Sequence, residues 1–351
     1  MKTRNARTLQ YALRIAAVAL LTACWLQTAT AQTSDTAAAA EAAAQQSWRD
    51  FMAHNPSSEL GCFEASYPNI SWERVQCTSG RGRMHTALRK PKNGQTLVVG
   101  NGADYVAEAS GLISETVGSF PTVTGVKTEK SVGVAAFGDG GILGANEYSL
   151  QINTNFNETT SACAGHSGCT VWQQFVYATD YYSYPKKGKA ALFIEYWLIN
   201  WGNSACPTDW DSDGEGDCVI NSDLIEVPDA KPKTTLAELS LAGTATNGGN
   251  DTAVFTNGTK AYTFTGSDSV LDISEAWKES EFNIIGDAGG SEAVFNKGVS
   301  ITVKVALTDG STSAPTCVPN AGTTGETNNL NLGACSTSGG TSPYIEFPES
   351  N

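Results

Sequence analysis

The chain has 351 residues, with 22 Lys and Arg against 36 Asp and Glu and a net charge of −14. The imbalance sharpens along the chain: no arginine follows Arg89, and from residue 96 onward eleven lysines stand against thirty carboxylates. Such a body would not bind nucleic acid through phosphate contacts; it would be repelled by anionic surfaces and kept in solution by its charge.

The first stretch reads as an export signal over residues 1–31. Lys2, Arg4, Arg7 and Arg14 precede an apolar run from Ile15 to Leu26 that is too short for a stable bilayer span. Two cleavage readings stand. Ala29-Thr-Ala31 before Gln32 suits ordinary secretion, whereas Leu21-Thr-Ala-Cys24 resembles a lipobox and would place a lipid anchor on Cys24. No later segment is apolar enough to span a membrane. The expected location is therefore secreted or extracytoplasmic, with a lipid-anchored outer surface as the alternative.

Cysteine usage agrees with an oxidising compartment. Besides Cys24, eight cysteines fall into neighbours along the chain: Cys62 with Cys77, Cys163 with Cys169, Cys206 with Cys218, and Cys317 with Cys335. An even set in an exported chain reads as disulfides. A metal reading of the cysteines is weaker, because no CxxC occurs and the only histidines are His54, His85 and His166.

Residues 32–97 read as an N-terminal extension or pro-segment. An alanine-rich stretch at 37–44 would be a linker or a loose helix, since it has little to bury. Residues 62–77 look like a small stapled unit. Arg81, Arg83, Arg89, Lys90 and Lys92 then form a basic stretch, either held on the acidic body by charge or a solvated connector.

From residue 98 to 351 the texture is β. Candidate strands run over 105–109, 116–123, 132–137, 148–156, 170–177, 190–201, 235–242, 253–256, 261–264, 281–285 and 299–307, with Gly, Asn, Asp and Ser between them. Regular short strands without a βαβ rhythm predict an all-β fold, an antiparallel two-sheet β-sandwich of concanavalin-like type. A tail loop over 322–340 would be stapled at the surface by Cys317–Cys335.

One strand is placed for chemistry. Over 148–156, Tyr148, Leu150, Ile152, Thr154 and Phe156 alternate with Ser149, Gln151, Asn153 and Asn155, giving an apolar back and an amide front that suits a cleft. The plainer reading is a surface strand facing water. Histidine-based nucleophile systems and a GxSxG elbow are missing, and paired cysteines would leave no thiolate. A hydrolase here needs carboxylates and amides. A carboxylate can activate water, and an amide can donate to an oxyanion.

Here the chain resembles the glutamic peptidases (eqolisins) over roughly residues 100–307. Asp104-Tyr-Val-Ala-Glu through Pro121-Thr-Val123 looks like that family's opening strands. Ser149-Leu-Gln-Ile-Asn-Thr-Asn-Phe156 looks like the strand carrying its catalytic glutamine, and Ser280-Glu-Phe-Asn-Ile-Ile285 like the strand carrying its catalytic glutamate. The resemblance implies a sandwich that cuts proteins in acid, with Gln151 and Glu281 catalytic, Asn153 and Asn283 beside them, and no cofactor for catalysis. Two departures stand out. Phe282 replaces the family's tryptophan, and residues 157–232 are longer than the family needs. A second register puts Trp277 on that tryptophan and Ala276 in place of the glutamate, which would abolish activity. The first register is preferred because Glu281 opens a strand between a small residue and an aromatic.

Two further sets of residues are candidates. Glu195 alternates with Phe193, Trp197 and Trp201, so it is a rival carboxylate, part of an aromatic face for sugars with Trp197, or the edge of a core patch. Asp209, Asp211, Asp213 and Asp217 take positions 1, 3, 5 and 9 of a calcium loop with Gly214 at the turn, but Ile220 stands where the bidentate acid belongs. A structural calcium ion and an acidic solvated loop both remain open. Two function classes follow: a secreted, monomeric endopeptidase acting on protein or peptide substrates, and a non-catalytic β-sandwich binding glycan or protein at the cell surface.

Overall fold

The computed structural model describes residues 36–80, 104–135, 140–179, 189–319 and 326–351. The signal segment with Cys24, the basic stretch from Arg81 to Lys92 and His85 lie outside them. Residues 36–47 are helical, largely exposed, and form a unit of their own; residues 48–351 form the second.

The second unit is an antiparallel β-sandwich, as the strand spacing predicts. One sheet runs in the order Glu73–Val75, Gly61–Ser66, Lys260–Ser267, Asn250–Asn257, Leu239–Ala245, Glu115–Thr124, Ser300–Thr308, Tyr344–Ser350 and Asn331–Leu332, with Ser336–Ser338 also on Tyr344–Ser350. The other runs Asp211–Ser212, Cys218–Asn221, Ala190–Ile199, Thr170–Ala178, Ser149–Asn153, Glu279–Ile285, Tyr105–Glu108 and Thr316–Pro319, with Ile225–Val227 also on Ala190–Ile199. A small third sheet joins Thr327–Asn328, Ser291–Phe295, Glu129–Gly133 and Gly144–Ala145.

Period-two alternation explains how the sheets meet. Leu150, Ile152, Phe175, Tyr177, Leu192, Ile194, Phe282 and Ile284 point inward from one sheet. Leu241, Phe255, Phe264, Val303, Val305 and Phe347 meet them from the other. Two glycines let the sheets close. A Cβ on Gly118 would lie 2.1 Å from the Phe282 ring, and one on Gly243 would lie 2.5 Å from Phe175, so both aromatics sit flat on bare backbone. Ala190–Ile199 is buried along its whole length, so this sheet is covered on its outer face as well.

The four expected disulfides all form. Cys62 joins Cys77 with a Cα separation of 5.4 Å, and Cys163 joins Cys169 at 5.5 Å. Cys206 joins Cys218 at 5.7 Å, and Cys317 joins Cys335 at 6.5 Å. Cys169 directly precedes the strand Thr170–Ala178, and Cys163 ends a short 3-10 turn, so this bridge closes a six-residue step into the sheet. Both of these cysteines are buried in the core. Among the described residues, no helix is long and apolar enough to cross a membrane.

The structure differs from the sequence reading in three places. The expected boundary near residue 98 does not separate the sheets: Gly61–Ser66 pairs with Lys260–Ser267 over six residues, and Trp48, Met52, Cys62 and Ala65 are buried. Their wide spacing hides an amphipathic pattern that only the partner strand reveals. Residues 235–238, expected to open the strand over 235–242, instead complete a short helical stretch that begins at Pro232, whose fixed φ suits a helix start. The tail is stapled by Cys317–Cys335, but it carries short paired strands.

Candidate active site

Gln151 and Glu281 lie on neighbouring antiparallel strands. Glu281 is opposite Asn153 and Asn283 is opposite Gln151, so Gln151 and Glu281 sit diagonally. Because Leu150, Ile152, Phe282 and Ile284 fill the core, alternation puts Ser149, Gln151, Asn153, Glu281 and Asn283 together on the outer face. Ala276 and Trp277 precede the strand, and Trp277 packs against Phe175 in the core with ring centroids 5.5 Å apart. Glu281, by contrast, lies within the strand, opposite Asn153.

Asn153 links the pair. Its Nδ2 donates to Glu281 Oε2 in a short hydrogen bond and reaches Gln151 Oε1 at 3.5 Å. Gln174, one strand further, donates to Gln151 Oε1 at 3.0 Å and to Asn153 Oδ1 at 2.8 Å. Gln151 Nε2 donates to Ser149 Oγ and to Glu326 Oε1, both at 3.1 Å. Asn283 donates to Glu349 Oε1 at 2.9 Å, and Asn328 donates to Glu349 Oε2 at 3.2 Å. The amides thus fix one another's orientation, leaving few rotamers to each.

This face is not the open cleft that the alternation suggested. Glu281 and Asn283 are fully buried, and Gln151, Asn153 and Gln174 nearly so. Part of the cover comes from the tail, which brings Glu326 and Asn328 over the amide row. Thr154 and Phe156 also leave the expected back face. The ladder ends at Asn153, where Thr154 bonds Gln173 through both its N–H and its hydroxyl. Freed from the alternation, Phe156 stacks on Trp172 at 4.2 Å.

Burial sets the electrostatics. The Glu281 carboxyl is held well above the usual range, first by burial and then by the nearby charge of Asp104, while its Oε1 is buried without a well-formed hydrogen bond. Asp104 is itself fully buried. Two carboxyls in that relation hold one proton between them over a wide pH span, since the second ionisation places like charges side by side. Glu349 is pushed up to about 8 by burial, against the hydrogen bond from Asn283.

Glu195 and Trp197 join the same face from the strand beyond Gln174, whose register sets Gln174 opposite Glu195 and Trp172 opposite Trp197. The Trp197 indole N–H donates to Glu195 Oε1 at 2.8 Å and to Gln174 Oε1 at 3.2 Å. Burial raises Glu195 to about 7, and the indole N–H opposes it. Trp197, Trp172 and Phe156 form a buried aromatic cluster, so these rings are not an exposed platform.

The acidic loop is organised by its own backbone. Asp213 Oδ1 accepts from the N–H of Glu215 at 2.8 Å and of Asp217 at 3.0 Å, and Asp217 Oδ1 accepts from the N–H of Asn200 at 2.7 Å. Among the described residues, no group of three or more His, Cys, Asp or Glu converges closely enough to hold an ion. The loop has the turn of a calcium site without its gathered donors.

Sequence reasoning missed Asp104, Gln174, Glu326 and Glu349. Gln174 was within reach, because Trp172 and Gln174 alternate just as Glu195 and Trp197 do. The other three arrive from distant strands with no local signal. In comparison with known proteins, the chain matches no protein-family model, no curated protein and no solved structure.

Proposed function

We propose that the protein is an exported, acid-acting endopeptidase in which Glu281 and Gln151 act on the peptide bond. The observation that carries this reading is their common face on adjacent strands, with Asn153 between them. While the site is closed Glu281 keeps its proton. Once the tail contacts open and water reaches the carboxyl, the burial that raises it is relieved. It returns toward the ordinary carboxylate range, and its ionised form becomes available in acid. Glu281 as the carboxylate takes a proton from a water molecule, whose oxygen forms a bond to the scissile carbonyl carbon. A Gln151 Nε2 N–H, released from Glu326, donates to the oxyanion. Glu281 then passes the proton to the leaving nitrogen as the C–N bond breaks. Substrate entry requires the tail contacts over the amide row to open, since Glu326 occupies the donor that the oxyanion would use. Secretion after residue 31 and lipid attachment at Cys24 are both compatible with this chemistry.

The test is digestion of denatured casein by the mature protein between pH 2 and 7. Cleavage should peak in acid, Glu281→Gln should abolish it, and Gln151→Ala should lower the rate by about 100-fold. No acid proteolysis by the wild type, or full activity in Glu281→Gln, would sink the reading.

A second reading has its own support. A row of amides beside an indole N–H is also suited to sugar hydroxyls, and Gln151, Asn153, Gln174 and Trp197 would make such a row once the tail contacts over it open. Saturable glycan binding that survives Glu281→Gln, without proteolysis, would favour it.

A further inference from the structure

A second pocket lies apart from the amide row. It has a volume of about 570 Å³ and is bounded by parts of three elements: Glu129–Gly133 and the residues before it, the short helix Pro232–Thr235, and Ser291–Phe295. Lys127, Lys130, Lys231 and Lys233 line it, and all four are exposed. Val294, Phe295 and Ala145 supply apolar wall.

The charge is out of character with the rest of the chain. From residue 96 onward there are eleven lysines and no arginine, and four of those lysines line this one pocket. Thirty carboxylates share that part of the chain, yet among the described residues none of the four lysines forms an ion pair. Four exposed lysines without an ion pair border one concavity and give it a positive character that an anion complements.

The carboxyl that does line the pocket does not neutralise them. Glu129 is buried, and neither of its oxygens has a well-formed hydrogen bond. Burial, and then the charge of Glu147, push it up to about 9, with the Asn146 N–H opposing, so at neutral pH it is an uncharged acid.

We propose that this pocket binds a small polyanion, a ligand carrying two or more phosphate or carboxylate groups on a short frame. The volume suits a ligand of that size. The apolar wall would take the frame while the lysines take the charged ends. The proposal does not depend on the peptidase reading, because none of these residues belongs to the amide row.

Calorimetric titration of the full mature protein with tripolyphosphate and, separately, with citrate tests it and distinguishes phosphate from carboxylate ligands. At least one probe should bind saturably at pH 7 and low salt, and affinity should drop as salt is raised. The triple variant Lys130→Gln, Lys231→Gln, Lys233→Gln should weaken binding at least about tenfold, whereas Lys260→Gln with Lys304→Gln, which alters lysines elsewhere, should leave it unchanged. On the wild type, the bound probe should protect Lys130 and Lys231 from acetylation read by mass spectrometry, which does not rely on any variant folding. Failure of both probes to bind, an equal loss in the control variant, or absence of protection would overturn the proposal.

Discussion

At the residue scale, the unusual feature is a carboxyl whose nearest ionisable neighbour is another carboxyl. Two buried carboxyls this close resist being charged together. The charge of Asp104 raises Glu281, so Asp104→Asn should lower the Glu281 pKa. In the proposed peptidase the pH–rate profile would then move to lower pH, by about one unit or more for a charge in contact. A profile that merely shrinks in height would make Asp104 structural. The sequence made half of this site legible. Alternation alone places Gln151 with Asn153 and Glu281 with Asn283, because a strand's faces follow from a period of two. It cannot show that Asp104 shares the proton or that Glu326 sits on the glutamine amide. Those contacts depend on which distant strands become neighbours, and strand pairing leaves no mark inside either strand.

At the scale of elements, two segments invite tests. The stapled segment from Trp48 to Gly80 is bound to the body by a full strand ladder, by Arg49 Nη1 on Gly258 O at 3.0 Å and by Thr265 Oγ1 on Ser57 O at 3.0 Å. Its disulfide, Cys62–Cys77, is internal to it. Cleavage at the basic stretch should therefore leave this segment attached in gel filtration and release it only in denaturant. Its departure on cleavage, with an unchanged melting temperature, would restore the picture of a detachable extension. The acidic loop gives the second test. If Asp209, Asp211, Asp213 and Asp217 close on calcium, the melting temperature should be higher in millimolar calcium than in chelator, since the ion would bind the folded state alone. Equal melting temperatures would leave a turn built by Asp213 on its neighbours' N–H groups. The motif was readable because its spacing is local. The missing twelfth ligand was readable too, since Ile220 stands there, and the structure places Ile220 on a ladder opposite Tyr196.

At the scale of the molecule, the buried acids make stability depend on pH with a definite sign. Glu195 at about 7, Glu349 at about 8 and Glu129 at about 9, with Glu281 and Asp251 also raised, all hold their protons in the folded state beyond the ordinary carboxylate range. Below the unfolded-state pKa both states are protonated and no penalty exists. As pH rises, the unfolded chain releases these protons first, so stability falls until the folded pKa values are passed. The melting temperature should thus decline from about pH 5 to pH 9. Equal melting temperatures at the two ends would refute this account of the buried carboxyls. The strand order bears on time as well as on free energy. Tyr105–Glu108 and Glu115–Thr124 are the first strands of the body after the stapled segment among the described residues. Their ladder partners, Glu279–Ile285, Thr316–Pro319, Leu239–Ala245 and Ser300–Thr308, all come from the second half of the chain. Neither early strand can pair until those segments have been made, so both wait with bare edges. Refolding should be slow, because so many contacts are far apart in sequence, and the waiting strands are where intermolecular pairing would start in a crowded refolding mixture.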